Sequence, residues 1–422
     1  MKVGSVTIVT LLISTCAGSS AYGTASGEEL CFGQRPTEVD EAFVEGENVI
    51  TGTPGDDVII GSDDRDRISG KAGDDLICGR GGPDIITGGH GDDSLSGQRG
   101  RNFSLKGGPG NDLLKASGHE LEVDGGKGRD VLEGSKRSDY IHGGAGDDLV
   151  MGRGGNDGLA GGTGSDDLRG GSGTDAISFE SSVRASLRIG RATFDSTDID
   201  VFTAIEALHG SHEDDVLIGS DGSDSLTGGD GDDLLKARRG SDYLDGNLGH
   251  DRLRGGRGSD EIWGEIQDID DGGNDVIFGG SGNDELNGGL AETDSTGDDT
   301  IFGGPGDDVL IGGIGNFDSE TEPDRDALHG GPGMDLLEGR EGQDLLTGGA
   351  GNDRLIGDRD SYSAIFTEGS LQDDRLEGGL GDDYLFAAYG DDYLDGGDGT
   401  DDLDGGPGTD SCTRGENTTS CE

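Results

Sequence analysis

The chain has 422 residues, 89 of them glycine, and its 89 acidic against 31 basic side chains leave a formal charge of −58. Only 29% of it is hydrophobic and 5% aromatic, too little for the two or three globular cores that its length suggests. The charge excludes nucleic acid as a partner, since phosphate would be repelled, and the composition is that of a disordered chain unless something neutralises the carboxylates.

Met1 to Ala25 reads as an export signal peptide. Lys2 supplies the charged start, Val3 to Ile13 is mostly apolar, and small residues lead to a cleavage point after Gly23-Thr24-Ala25. The apolar run is too short for a permanent membrane span. Cys16 leaves a second reading open, a lipoprotein signal acylated at that cysteine, although Thr15 departs from the usual pattern before it. Without the leader, Cys31, Cys78, Cys412 and Cys421 remain, an even count that suggests disulfides in an exported chain. Proximity favours Cys412 with Cys421 and Cys31 with Cys78, one of the three pairings that four cysteines allow. Residues 26–45 show little periodicity and read as a cap or linker.

Residues 46–178 are organised on a period of nine. Gly143 to Met151 reads Gly-Gly-Ala-Gly-Asp-Asp-Leu-Val-Met, and Gly152 to Ala160 and Gly161 to Arg169 follow the same rule. Glycine holds positions 1 and 4, aspartate position 6 and an aliphatic residue position 8, the signature of a repeat architecture. The glycines are expected to take positive φ at sharp turns with inward carbonyls. Positions 7 to 9 are too short for a helix and read as a strand whose middle side chain turns inward. Two units make one coil turn, so loops stack every eighteen residues, with Asp57, Asp75 and Asp93 on one edge and Asp66 and Asp84 on the other. Two units depart from the rule. Gly97 to Lys106 has ten residues and Asn102 in place of aspartate, and Ala116 to Asp124 has Leu121 at position 6; both are expected to bind metal poorly or not at all.

Residues 179–209 interrupt the repeat. Val183, Ala185, Leu187 and Ile189 alternate with Arg184, Ser186 and Arg188, a strand period, and 192–194 and 199–202 offer further strands. The repeat resumes over 210–413 with excursions at 264–272, 288–297, 312–324 and 357–372, the first two rich in acidic residues. Cys412 takes position 8 of the last unit, and 414–422 forms a short cysteine-closed tail.

Backbone carbonyls with one carboxylate per loop suit a hard cation such as calcium, which takes six to eight oxygen ligands. The candidate metal ligands in the first segment are Asp57, Asp66, Asp75, Asp84, Asp93, Asp112, Asp130, Asp139, Asp148, Asp157, Asp166 and Asp175. In the second they are Asp215, Asp224, Asp233, Asp242, Asp251, Asp260, Asp275, Asp284, Asp299, Asp308, Asp326, Asp335, Asp344, Asp353, Asp374, Asp383, Asp392, Asp401 and Asp410. Each ion would sit between stacked loops and take an aspartate from each. In adjacent pairs such as Asp56-Asp57, only the second is read as a ligand.

These units resemble the hemolysin-type (RTX) calcium-binding nonapeptide, Gly-Gly-x-Gly-x-Asp-x-aliphatic-x, over most of 46–413. The resemblance implies an all-β parallel β-roll, a solenoid of stacked repeats interrupted by a short hairpin, that binds many Ca2+ ions. Such proteins often carry a zinc protease or lipase domain, but no His-Glu-x-x-His, Gly-x-Ser-x-Gly or phosphate loop occurs here. Histidines such as His90, His142 and His329 fall at variable positions, and Tyr243, Tyr384, Tyr393 and Trp263 read as outward-facing. The chain is therefore expected to be a non-enzymatic, secreted calcium-binding protein with a structural or surface-interaction role. Its alternative is a calcium-dependent adhesin or carbohydrate-binding module with a glycan or protein partner, and a polysaccharide-modifying fragment comes last.

Overall fold

The computed structural model describes residues 31–36, 40–44, 47–97, 104–116, 118, 122–194, 198–265, 273–289, 297–313, 325–340, 342–358 and 373–421. The leader with Cys16, the variant positions Asn102 and Leu121, and most of each excursion lie outside these residues. No helix occurs among the described residues, and the strands, mostly three to six residues long, build two compact units.

The first unit comprises residues 1–179 and 195–205. Strand Val58–Ile60 pairs not with the next repeat but with Leu76–Cys78, eighteen residues on. The same parallel ladder continues through Ser94–Ser96, Leu113–Lys115, Val131–Glu133, Leu149–Gly154, Asp167–Ser172 and Ile199–Thr203. Alternate repeats form a second parallel ladder, Glu47–Thr51, Asp66–Ala72, Ile85–His90, Ser104–Pro109, Glu122–Lys127, Tyr140–Ala145, Gly158–Thr163 and Ala176–Ser178. Asp40–Val44 pairs antiparallel with its first strand. Position 8 fills the space between the ladders. Ile77, Leu95, Leu114 and Leu132 from one side, and Ile86, Leu105, Val123 and Ile141 from the other, are fully buried. The ten-residue unit leaves this register intact, because Leu105 pairs with Ile86 at a spacing of nineteen.

The second unit comprises residues 180–194 and 206–422 and repeats the plan. One ladder starts at Arg184–Ser186, passes through Val216–Ile218 and Leu234–Arg239, and ends at Tyr393–Asp398 and Ser411–Thr413. The other runs from Ala207–His209 and Ser225–Asp230 to Asp402–Asp404 and Asn417–Thr419. The expected hairpin is Arg184–Ser186 against Arg191–Thr193. The strands on either side of each excursion stay in register. Arg252 pairs with Val276 and Leu345 with Arg375, so the rung is kept while the spacing grows. Disulfides join Cys31 to Cys78 and Cys412 to Cys421, with Cα atoms 5.7 and 5.6 Å apart.

With one aliphatic side chain per repeat, each rung relies on its neighbours. Leu132→Ala is expected to cost about 2–5 kcal/mol. Hydrogen exchange should rise around Leu114 and Val150, the adjoining rungs, and stay unchanged around Leu394. Uniform loss of protection along the chain would contradict this reading.

Candidate metal centre

The position-6 aspartates are buried although nothing apolar attracts them; Asp75, Asp130 and Asp401 are each 0% exposed. Their Oδ1 atoms explain the order. The amide N–H of Asp57 donates to Asp75 Oδ1 at 2.8 Å, Asp75 to Asp93 at 2.8 Å, Asp93 to Asp112 at 2.8 Å and Asp112 to Asp130 at 2.7 Å. The series continues through Asp148 to Asp166. On the other edge it links Asp66 to Asp84, and Asp139 to Asp157 and Asp175. In the second unit one column runs from Asp215 through Asp233, Asp251, Asp275, Asp299, Asp326, Asp344, Asp374 and Asp392 to Asp410. Its companion runs from Asp224 through Asp242, Asp260, Asp284, Asp308, Asp335, Asp353 and Asp383 to Asp401. All the candidate ligands thus fall on four columns, two per unit.

Oδ2 behaves differently. In Asp75, Asp84, Asp93, Asp112, Asp130 and Asp148, and in most of the second unit's columns, it is buried without a hydrogen-bond partner among the described residues. A β-carbon added at Gly125, position 1 of its loop, would lie 2.5 Å from Asp130 Oδ2 and 2.5 Å from the carbonyl oxygen of Gly143 in the next coil. Glycine serves space there, so that a carboxylate and a stacked carbonyl can converge, and only the small Ala237 and Ala387 replace it among the described loops. This corrects the expectation of positive φ at position 1. Left-handed backbone occurs at positions 2 and 4, as in Gly144 at 114° and Gly146 at 138°. At position 2 it is also taken by Lys71, Arg80, Arg153, Arg238 and Arg340. The Lys71 ammonium donates to the Gly52 carbonyl at 2.8 Å.

Burial disfavours the charged form and drives the carboxyls upward. Asp75 and Asp84 rise to about 7 and Asp233 to about 8, each mainly by burial, with neighbouring aspartates adding and the stacked amide opposing. Asp275 and Asp374, beside the excursions, are pushed well above the ordinary range, first by burial and next by Asp251 and Asp344 respectively. The donors are all hard oxygens, which suits calcium over zinc or copper. Among the described residues no three carboxylate, histidine or cysteine side chains converge on one point, so backbone carbonyls and water must complete a coordination shell. The residues present fit a calcium ion on those terms.

Three features escaped sequence reasoning. Asp200 continues the first unit's column by accepting the Asp166 amide at 2.9 Å, with Phe202 at position 8 and buried. Its only signal is Asp-Val-Phe, because no glycine precedes it. Glu416 accepts the Asp401 amide at 2.8 Å and stands in for aspartate at the other end. The first acid of each pair also has a place. Asp56 and Asp74 each accept the position-5 amide of the next coil, at 3.0 and 2.9 Å, a ladder that runs opposite to the Oδ1 series. The outward aromatics are partly covered by cations, Arg354 over Tyr384 and Arg375 over Tyr393.

The sequence matches the model of the RTX calcium-binding nonapeptide repeat (4 copies) over residues 44–77, 78–103, 124–159, 159–181, 209–244, 245–268, 269–291, 293–316, 329–362, 368–403 and 377–412, well over half of the chain. No curated protein matches it.

The raised carboxyls set a pH dependence for the calcium-free chain. Their folded values lie above the unfolded value of 3.8, so they contribute stability below about pH 4 that is lost as pH rises through about 6 to 8. In excess chelator, circular dichroism is therefore expected to show more β structure at pH 4 than at pH 8. β content that rises with pH in chelator would contradict it.

Proposed function

The chain belongs to the RTX calcium-binding nonapeptide repeat family, a family of calcium-binding structural repeats, and from that premise we propose that it is secreted and that its rolls fold when Ca2+ fills the loop edges outside the cell. Its role is structural or surface-interacting, without catalysis. The reading is carried by the buried carboxylates, Asp75, Asp93 and Asp130 among them, whose Oδ2 atoms have no hydrogen-bond partner among the described residues. Asp130 Oδ2 and the Gly143 carbonyl are one such donor pair, and the loops headed by Gly107, Gly143 and Gly246 offer the same pair to an ion between coils. Bound calcium supplies the positive charge that these oxygens lack. The formal charge of −58 supports many ions per chain. Because a site half-built by the coil binds poorly, ion binding and folding are one process.

Export is supported by the leader-like Met1 to Ala25 and by two disulfides, which persist in oxidising compartments. A cytosol poor in calcium would leave the chain unfolded, ready for passage across a membrane.

At pH 8 the β signal is expected to appear cooperatively near 0.1–1 mM calcium, about the range of extracellular modules. A full β spectrum in excess chelator at that pH would overturn the proposal. Export has its own test. Mass spectrometry of material from the medium should find a mature start near Ser26 and no free thiol; an intact Met1 with reduced cysteines would remove this part of the reading.

A further inference from the structure

Not every position-6 carboxylate is left open. In five of the described loops position 2 is a described serine or threonine, and there the carboxylate is capped from within its own loop. The position-2 amides of Thr53, Ser62, Ser135, Ser211 and Ser220 donate to Oδ2 of Asp57, Asp66, Asp139, Asp215 and Asp224 at 2.5–2.6 Å. The hydroxyls of Thr53, Ser62, Ser211 and Ser220 add a second donor to the same carboxylates at 2.9–3.2 Å. In all five loops the same hydroxyl accepts the position-4 amide, at 2.9–3.3 Å. The backbone follows. None of the five position-2 residues is left-handed, and neither are Gly55 and Gly222 at position 4, whereas Gly144 and Gly146 are. Serine and threonine tolerate left-handed φ poorly, so the chain turns the position-2 amide inward onto the carboxylate. The chain therefore contains two loop states. The glycine-headed state, which the loops with Lys71 and Arg80 at position 2 share, leaves Oδ2 buried and open. The hydroxyl-headed state gives it the position-2 amide, joined by the hydroxyl in the loops of Thr53, Ser62 and Ser211.

The capped loops also share a place. Asp57 and Asp66 open the two columns of the first unit, and Asp215 and Asp224 open the two columns of the second. Asp139 is the first aspartate on its edge after Leu121. In the rung before the loops of Asp66, Asp139, Asp215 and Asp224, position 6 holds Asn48, Leu121, Val183 and Glu206 in turn, not aspartate. The neighbours complete the cap. The Asn48 side-chain amide donates to Asp66 Oδ1 at 2.8 Å, and the Val183 backbone amide donates to Asp215 Oδ1 at 2.6 Å. A loop that opens a column has no aspartate below it to share an ion, and hydroxyl and amide donors stand where the ion would neutralise charge elsewhere.

We propose that the residue at position 2 decides whether a loop takes calcium, and that the loops headed by Thr53, Ser62, Ser135, Ser211 and Ser220 fold without an ion and start each column. Calcium then propagates the roll from a coil that is already ordered. The placement at both column starts of both units gives each unit its own metal-independent start, in keeping with the high cost of the first coil in any stacked repeat.

The inference rests on the calcium reading only for the ion count; its other half is read in chelator. In the full chain at pH 8 with excess chelator, hydrogen exchange at 61–66 and 210–224 should be about tenfold slower than at 143–148. Equal exchange in the two sets would overturn the metal-independent start, whether or not the chain binds calcium. Ion counting by equilibrium dialysis followed by elemental analysis tests the other half. The pair Ser62→Gly and Ser220→Gly should raise the count by about two ions and Gly144→Ser should lower it by about one, one ion per converted loop. Unchanged counts in calcium-loaded variants that keep the wild-type circular dichroism would overturn the role of position 2. A chain that binds no calcium at all would instead sink the proposed function, with the exchange result still decisive for the start.

Discussion

Burying like charges in a line is the constraint on which the whole molecule depends. Strands in a ladder lie roughly 4.7–4.9 Å apart, so a coil that places one aspartate per turn at the same edge stacks carboxylates at about that spacing. Water is excluded from them, since the neighbouring coils close over each site and leave residues such as Asp84 and Asp175 with no exposure. Ionised carboxylates in that position repel one another and lose their hydration. The fold answers with half of what is needed. Oδ1 is held by the stacked amide, as in Asp112 to Asp130 at 2.7 Å, and Oδ2 is left to a cation.

The other parts of the repeat follow from that arrangement. Position 1 is small, glycine in nearly every loop and alanine at Ala237 and Ala387, because a carboxylate oxygen and a carbonyl of the next coil crowd the place where a side chain would stand. Position 8 need supply only a thin aliphatic column, since the roll is two short ladders wide. The excursions leave the columns unbroken: Asp344 still donates to Asp374 at 2.9 Å across a separation of thirty residues. The glycine-headed loops make the roll dependent on its environment, and the hydroxyl-headed loops relieve that dependence where a column begins.

The fold and the columns were legible because a strict period leaves little to context. Once nine residues repeat and two repeats make a turn, Asp57 must stack on Asp75 and Leu114 on Leu132, as they do. What was hidden depended on geometry that composition does not carry. Glycine at positions 1, 2 and 4 looks alike in sequence, yet it serves close approach at the first and left-handed backbone at the other two. Asp200 lacked the glycines that announce a repeat and joined its column across a separation of thirty-four residues. Asp56 and its equivalents looked variable because aspartate, asparagine and serine all accept the same amide, as Asp92, Asn111 and Ser138 do. The rule of glycine, aspartate and aliphatic positions says nothing of serine at position 2, yet its hydroxyl and amide change the state of the carboxylate four residues on.

The central claim is that the orphaned Oδ2 atoms of the glycine-headed loops are calcium ligands. Anomalous scattering from crystals grown in calcium tests it most directly. The account predicts calcium peaks along each edge, with Asp75, Asp130 and Asp233 Oδ2 at roughly 2.3–2.6 Å from an ion that also touches a position-1 carbonyl of a stacked coil. Calcium peaks confined to the outer position-5 carboxylates, with Oδ2 of these aspartates bound to water alone, would contradict it.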